Sequence, residues 1–411
     1  MIEPRGEILR LDTSEREPAF LLECRNGAKI RLSEAAKTVL ELRWDGRTFD
    51  EIASELEARR IRRADGCEVA RYYDAVNEKL DRFEAAGGGE IDPSFGFKRT
   101  IFPKETAARI AALFTWMYAW PAVAVAFAMT AVATAAWIAG GHLAHKPHFD
   151  ASSIGFGYAL FFVSLFAHEF GHASACQRFG GRPGKIGLTI YIVLPALFSD
   201  VGSAWKLTRP QRVVVDLGGT YFHTVVGAAY VLLYTATRWE PFAFATGLII
   251  VTAIFNLNPI FKFDGYWIVA DALGVTNLSK QPARILRYAR NRLARREAAP
   301  LPWRAPTIAA LALYSTVATV VWAYFLVRLG LALQHQIVAV AVLTLGIVHR
   351  GSIGSAAELR TFALAVFGAG MTVYFVYRWV RRAWRTTRAL HKASAPAAAV
   401  VSTGDTSTAA S

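Results

Sequence analysis

Two histidines four residues apart, His168 and His172, stand with Glu169 in the run SLFAHEFGHASACQR. On a helix this spacing stacks both imidazoles on one face, where they can chelate a single zinc ion, Zn2+. A carboxylate at Glu169 can take a proton from water and later pass it to a leaving amine, while the metal polarises a scissile carbonyl. That is peptide-bond hydrolysis without a covalent intermediate, and it needs no serine nucleophile. HExxH arises by chance in long chains, so its surroundings matter. Three ionisable residues in an apolar span are costly unless they line a polar cavity or bind an ion. The opposing reading has the histidines hydrogen-bonding neighbouring helices while Glu169 neutralises a basic residue.

Catalytic zinc usually has three protein ligands and an open fourth position, so a further His, Asp or Glu is required at membrane depth. The segment IFNLNPIFKFDGYW offers Asp264, which follows Asn256, Asn258 and Pro259 in an otherwise apolar stretch. Pro259 removes a helical hydrogen bond and should break or kink the helix, freeing backbone that must line protein or a wet cavity. Between the two motifs lies DLGGTYFHTVVG. Gly218 and Gly219 allow close helix approach. His223 reads either as a contact to the site or as a hydrogen-bonded helix histidine, and Asp216 as an interfacial partner of Arg212. The segment GKIGLTIYIVLPALFSD alternates enough for a strand or re-entrant hairpin beside the site, where a substrate could pair edge-on; a connecting loop in the interface is the other reading.

These residues need a membrane scaffold. The 411 residues are 54% hydrophobic with positive mean hydropathy, too apolar for an ordinary soluble enzyme. The net charge of +14 clusters beside apolar runs, where it reads as topology signal facing cytosol and anionic lipid, and nucleic acid is not an expected partner. About twenty apolar residues cross a bilayer, and six spans are expected. They run from Trp120 to Ala139, Ile154 to Cys176, Val213 to Thr235, Phe242 to Ile268, Ile308 to Val327, and Phe362 to Tyr377. Ile337 to Val348 is too short for a span and reads as interfacial or re-entrant. Two basic loops, Arg178 to Arg212 and Lys280 to Arg296, mark the cytoplasmic side. Cys24, Cys67 and Cys176 have no CxxC spacing and imply neither disulfides nor a thiolate zinc site. No apolar segment follows the N-terminal residues, so no signal peptide is expected and both termini are assigned to the cytosol.

From Glu7 to Ala86 a small soluble α+β domain is expected. FLLEC and AKIRL flank the turn Arg25-Asn26-Gly27 as a hairpin. Three helices follow, one opened at Ser33 and stopped by Asp45-Gly46, one capped by Thr48, and one ending at Gly87-Gly88-Gly89. The whole reads as a multi-pass α-helical membrane protein with a winged-helix-like N-terminal domain. Residues 1–95 form that domain, 96–118 a linker, 119–276 the membrane core, 277–305 a basic loop, 306–385 the last spans, and 386–411 a disordered tail.

The paired motifs His168-Glu169-Phe170-Gly171-His172 and Asn258-Pro259-Ile260-Phe261-Lys262-Phe263-Asp264-Gly265 resemble those of the site-2 protease family, across roughly Ile154 to Gly274. That resemblance implies an intramembrane zinc metalloprotease with Asp264 as third ligand, and with Asn256 and Asn258 positioning substrate. The family's usual glycine-proline pair is missing from the third span, so packing is carried over there and no catalytic role. The first ninety residues, with RLSEAAKTVLELRWDGRTFDEIASELEARR, resemble the PqqD-like domains that capture leader peptides by strand addition. Together the resemblances imply cleavage of a leader or membrane-associated peptide, linked to maturation or export of a ribosomally made modified peptide, in a bacterial inner membrane beside a peptide exporter. The alternatives are a noncatalytic component of such an exporter and a zinc-dependent sensor reading DNA through the N-terminal domain, the latter opposed by the acidic patch Asp50, Glu51, Glu55 and Glu57.

Overall fold

A computed structural model describes residues 3–25, 29–85, 95–141, 149–191, 194–295, 300–350 and 355–393. The N-terminal part forms an antiparallel sheet of β1 (Gly6–Leu11), β2 (Ala19–Cys24) and β3 (Lys29–Ser33), with β2 central. Ile8 pairs with Leu22, and Leu22 with Ile30, so one apolar row crosses all three strands. Three helices follow, α1 (Glu34–Trp44), α2 (Phe49–Ala58) and α3 (Gly66–Ala85); α1 and α3 pack on the sheet, and α2 packs on α1 and α3. Ser33 caps α1 by accepting from the Ala36 N–H, and Thr48 with Glu51 forms a reciprocal capping box on α2. Leu22, Leu32, Leu40, Trp44 and Leu80 close the core between sheet and helices. The expected hairpin and three helices are present, with β1 as an additional strand. The turn at Asn26-Gly27 and the stop at Gly87 to Gly89 lie outside the described residues.

The stretch expected as a linker is instead structured, as β4 (Phe95–Phe102), α4 (Lys104–Ala112) and a 3₁₀ turn, Thr115–Tyr118. Strand β4 pairs with β5 (Ile186–Tyr191), which pairs with β6 (Leu194–Ser199), giving a second antiparallel sheet. The segment left open between strand and loop is therefore a hairpin. Phe102 and Ile186 from this sheet pack on Phe170 and Ala173, within the HExxH turn and the one after it.

Among the described residues, three helices are long and apolar enough to cross a membrane: α5 (Trp120–Ala139), α6 (Ala151–Arg178) and Ala305–Gly346 within α11 (Ala305–Arg350). The expected six spans are not shown, and each departure has a local cause. Helix α7 (Arg209–Thr237) covers the third, but Arg212, Asp216 and His223 interrupt its apolar character. The fourth splits into α8 (Glu240–Asn256) and α9 (Asp264–Leu273), because the residue before Pro259 disfavours helix. The fifth span and the run expected to be interfacial form one unbroken helix of 46 residues. At 1.5 Å per residue it is about 69 Å long, over twice a hydrocarbon core of roughly 30 Å. The sixth lies within α12 (Ala356–Ala393), with Leu359–Tyr374 its apolar part.

The chain divides into a compact unit ending at Ala310 and a second from Leu311. In the second, Thr372 on α12 donates to Gln336 of α11. Within the first, the N-terminal domain sits on the end of α7 and α9. Asp12 accepts from the Arg209 backbone N–H at 2.9 Å and side chain at 3.1 Å. Lys206 reaches Glu23 at 2.5 Å, the Ser14 N–H donates to the Gly274 carbonyl at 3.0 Å, and Arg31 donates to Thr276 at 2.7 Å. Arg212 also joins the two parts, pairing with Asp271 at 2.7 Å and donating to the Asp12 carbonyl at 3.0 Å. Its carboxylate partner is thus Asp271, 59 residues away, and not the neighbouring Asp216 expected from spacing.

Candidate metal centre

Helix α6 carries His168, Glu169 and His172, all buried. It lies against α7 so closely that glycine is required on both sides. A Cβ on Gly171 would run into the Gly218 carbonyl, and one on Gly218 would fall 2.7 Å from the Gly171 carbonyl oxygen. Tyr118 donates to that same Gly171 carbonyl at 2.7 Å, fixing the preceding 3₁₀ turn over the contact.

The His172 Nδ1 lies 2.8 Å from the Val215 carbonyl. A carbonyl only accepts, so Nδ1 carries the proton and Nε2 presents a lone pair, the outer-shell arrangement that orients a metal-binding imidazole. His172 Nε2 is 3.1 Å from His168 Nε2. The Asp264 carboxylate completes the group, with Oδ2 at 3.1 Å from His168 Nε2 and Oδ1 at 3.5 Å from His172 Nε2.

Asp264 reaches this point because α8 stops at Asn256 and the chain turns through Leu257 to Phe263 before α9 starts at Asp264 itself. Asn258 Oδ1 accepts from the Ile260 N–H at 2.8 Å, stabilising the bend. A Cβ at Gly265 would strike the Leu257 carbonyl, so the chain folds back on itself too tightly for any side chain there.

Ligand atoms of His168, His172 and Asp264 thus lie within 4.8 Å of one another, a group able to hold a metal ion. Zinc fits this donor set of two neutral imidazole nitrogens and one carboxylate. Gly219 supplies the second test of fit. A Cβ there would sit 2.5 Å from His168 Nε2 and closer still to His172 Nε2, so the missing side chain leaves space where both nitrogens point.

Of the two asparagines expected near the site, Asn256 lies with its amide nitrogen 3.5 Å from His168 Nε2, whereas the Asn258 side-chain oxygen is engaged in the bend. His223, left open between two roles, packs its ring 4.5 Å from that of His168, and neither ring nitrogen has a hydrogen-bond partner among the described residues. It lies one turn beyond Gly219 on α7, and that i, i+4 spacing was the only sequence signal available.

Similarity to known proteins covers part of the chain. Over 144 residues the chain is 25% identical to a Bacillus subtilis protein provisionally named peptide zinc metalloprotease protein YydH, covering 31% of this chain and 55% of that one. Over 172 residues it is 32% identical to the Mycobacterium tuberculosis protein provisionally named zinc metalloprotease Rip2, covering 34% of this chain and 64% of the other. The chain spans between about half and two thirds of the length of these curated relatives. No family model and no solved structure matches it. The chain is similar, in part of its length, to proteins named as zinc metalloproteases.

Proposed function

We propose that this chain is an intramembrane zinc metalloendopeptidase of the site-2 protease type. His168, His172 and Asp264 hold the Zn2+, and Glu169 serves as general base. Zinc there supplies Lewis-acid polarisation of the scissile carbonyl and lowers the pKa of water. Glu169, buried beside His168, takes the proton from that water and returns it to the departing amine. Asn256, adjacent to His168, orients the substrate, and Asn258 acts on the site through the bend that carries Asp264.

The observation that carries this reading is the convergence of three ligand atoms from two segments nearly a hundred residues apart onto a space that Gly219 leaves open. The names borne by the relatives favour the same reaction. The substrate is a leader peptide or membrane-associated peptide, in keeping with the PqqD-like resemblance of the first ninety residues and with the docking of that domain on the end of α7. On this reading the protein resides in a bacterial inner membrane with both termini cytoplasmic, in the service of a peptide maturation or export system. Residues 1–95 recruit the peptide, 119–276 cut it, 277–305 form a basic cytoplasmic loop, and 306–385 complete the membrane part.

The test compares native protein, Glu169→Gln and Asp264→Ala, purified in detergent, by zinc quantitation and by mass spectrometry of candidate peptides encoded nearby. Glu169→Gln should keep zinc and lose cleavage, whereas Asp264→Ala should lose both. If Glu169→Gln retains full peptide-processing or export activity, the chain is a noncatalytic exporter component and the proposal fails.

A further inference from the structure

Helix α10 (Gln281–Leu293) presents a face that neither the metal centre nor the N-terminal domain uses. One side is held. The Gln281 side chain donates to the Thr276 carbonyl at 3.0 Å, and the Arg284 guanidinium lies over the Trp303 ring at 5.1 Å. The opposite side is open, with Leu286 70% and Leu293 86% exposed. These leucines are seven apart and therefore share a face, with Ala289 between them. Arg287 and Arg290 flank the stripe on one edge and Arg292 on the other. From Ala272 to Arg295 the chain has no acidic residue, so nothing on this element neutralises the arginines.

Two nearly fully exposed leucines bordered by cations match one surface chemistry, the boundary between acyl chains and anionic headgroups. Nucleic acid would satisfy the arginines and leave the leucines in water. An acidic protein partner is the competing class. The placement of α10 favours lipid, because it lies between α9, which begins at the candidate metal ligand Asp264, and α11, whose apolar run starts at Ala305. Helix α9 follows the apolar helix α8, α11 is itself apolar, and a helix of 13 residues spans only about 20 Å.

We propose that α10 lies on the membrane surface and binds anionic phospholipid, with Leu286 and Leu293 in the acyl boundary and Arg287, Arg290 and Arg292 on headgroup phosphates. The helix thereby anchors the segment that joins the site-bearing α9 to α11.

Hydrogen–deuterium exchange of the full chain in lipid nanodiscs tests this. Discs of phosphatidylcholine alone are compared with discs containing about a third phosphatidylglycerol. The amides of α10 should exchange more slowly in the anionic discs, and Arg287→Gln with Arg290→Gln should reduce that gain by roughly 25-fold at a fivefold effect per arginine near an anionic surface. Leu286→Ser should weaken protection with the charges intact. Equal exchange in both discs overturns the proposal. So does equal protection in discs and detergent, which would mean that protein covers the face. Glycerol phosphate added to neutral discs should have no effect, and protection by it would reduce the site to a soluble-anion contact and overturn the lipid assignment.

Discussion

Replacing Gly219 by alanine separates metal binding from folding. The new Cβ would stand 2.5 Å from His168 Nε2 and Cε1, and a contact near 3.4 Å requires one imidazole, or α7 itself, to withdraw by about 0.9 Å. Zinc sites tolerate about 0.2 Å in ligand distance, so at least one Zn–N bond is lost or badly misdirected. Disturbing the support of a metal ligand lowers affinity by 10- to 100-fold, and here both histidines are affected, so the upper end is expected, roughly 100-fold or about 3 kcal/mol. Alanine is also the better helix former, by up to about 1 kcal/mol, so the metal-free fold should be retained. Zinc affinity is read by competition with a chelating dye, and stability by thermal melting in excess chelator. Gly227→Ala on the same helix is the control, since its Cβ would meet only Ile249 Cγ2 at 3.5 Å. Native zinc affinity in Gly219→Ala would refute the reasoning that this glycine keeps the site open.

Other outcomes follow from the same geometry. Glu169→Gln should lower peptide cleavage by a factor of about 10²–10⁴ at unchanged zinc content, measured by mass spectrometry of products. Arg212→Met leaves Asp271 buried without its ion partner and should destabilise the first unit by about 3–5 kcal/mol, read as a fall in melting temperature, with Asp271→Asn milder because its amide oxygen and the Leu207 and Asp12 carbonyls still accept from the Arg212 guanidinium. Gly171→Ala forces α6 from α7 at the Gly218 carbonyl and should destabilise the fold as well as the site, unlike Gly219→Ala. The contact between the N-terminal domain and the core carries a pH signature. Burial raises the Glu23 carboxyl, but the Lys206 hydrogen bond and the charges of Lys29 and Lys206 outweigh it and hold the carboxyl below its ordinary 4.5. The hydrogen bond to Glu23 raises Lys206 above 10.5. A depressed acid loses its contribution as pH falls through the folded value, and a raised base loses its own as pH rises through it. Docking should therefore hold between about pH 4.5 and 10.5 and loosen outside that window, detected as exchange at the Arg209 amide that Asp12 accepts from.

Much of the candidate centre was legible because it depends on local rules. His168 and His172 are neighbours on any helix, and Asp264 stands out in an apolar stretch beside a proline that must interrupt it. The break between Asn256 and Asp264 is the consequence of that proline, though spacing alone did not reveal that the chain would resume as a helix at Asp264. What was not legible depends on distant partners. Strand β4 reads as a linker until β5, some ninety residues later, supplies its hydrogen bonds. Arg212 has Asp216 one turn away, yet the fold delivers Asp271. Arg328, Gly330, Gln334 and Gln336 interrupt the apolar pattern of α11 without breaking the helix, because neither helix capping nor proline stops it there. The ring packing of His223 on His168 likewise needed α6 and α7 in register.

X-ray absorption at the zinc edge on detergent-purified protein tests the central claim most directly. The account predicts one zinc per chain bound by nitrogen and oxygen only, with ligands at about 2.0–2.2 Å and the outer-shell scattering of two imidazoles, a signal lost together with the zinc in His172→Ala. Sulfur in the shell, or a native imidazole signal that survives both His168→Ala and His172→Ala, would contradict it.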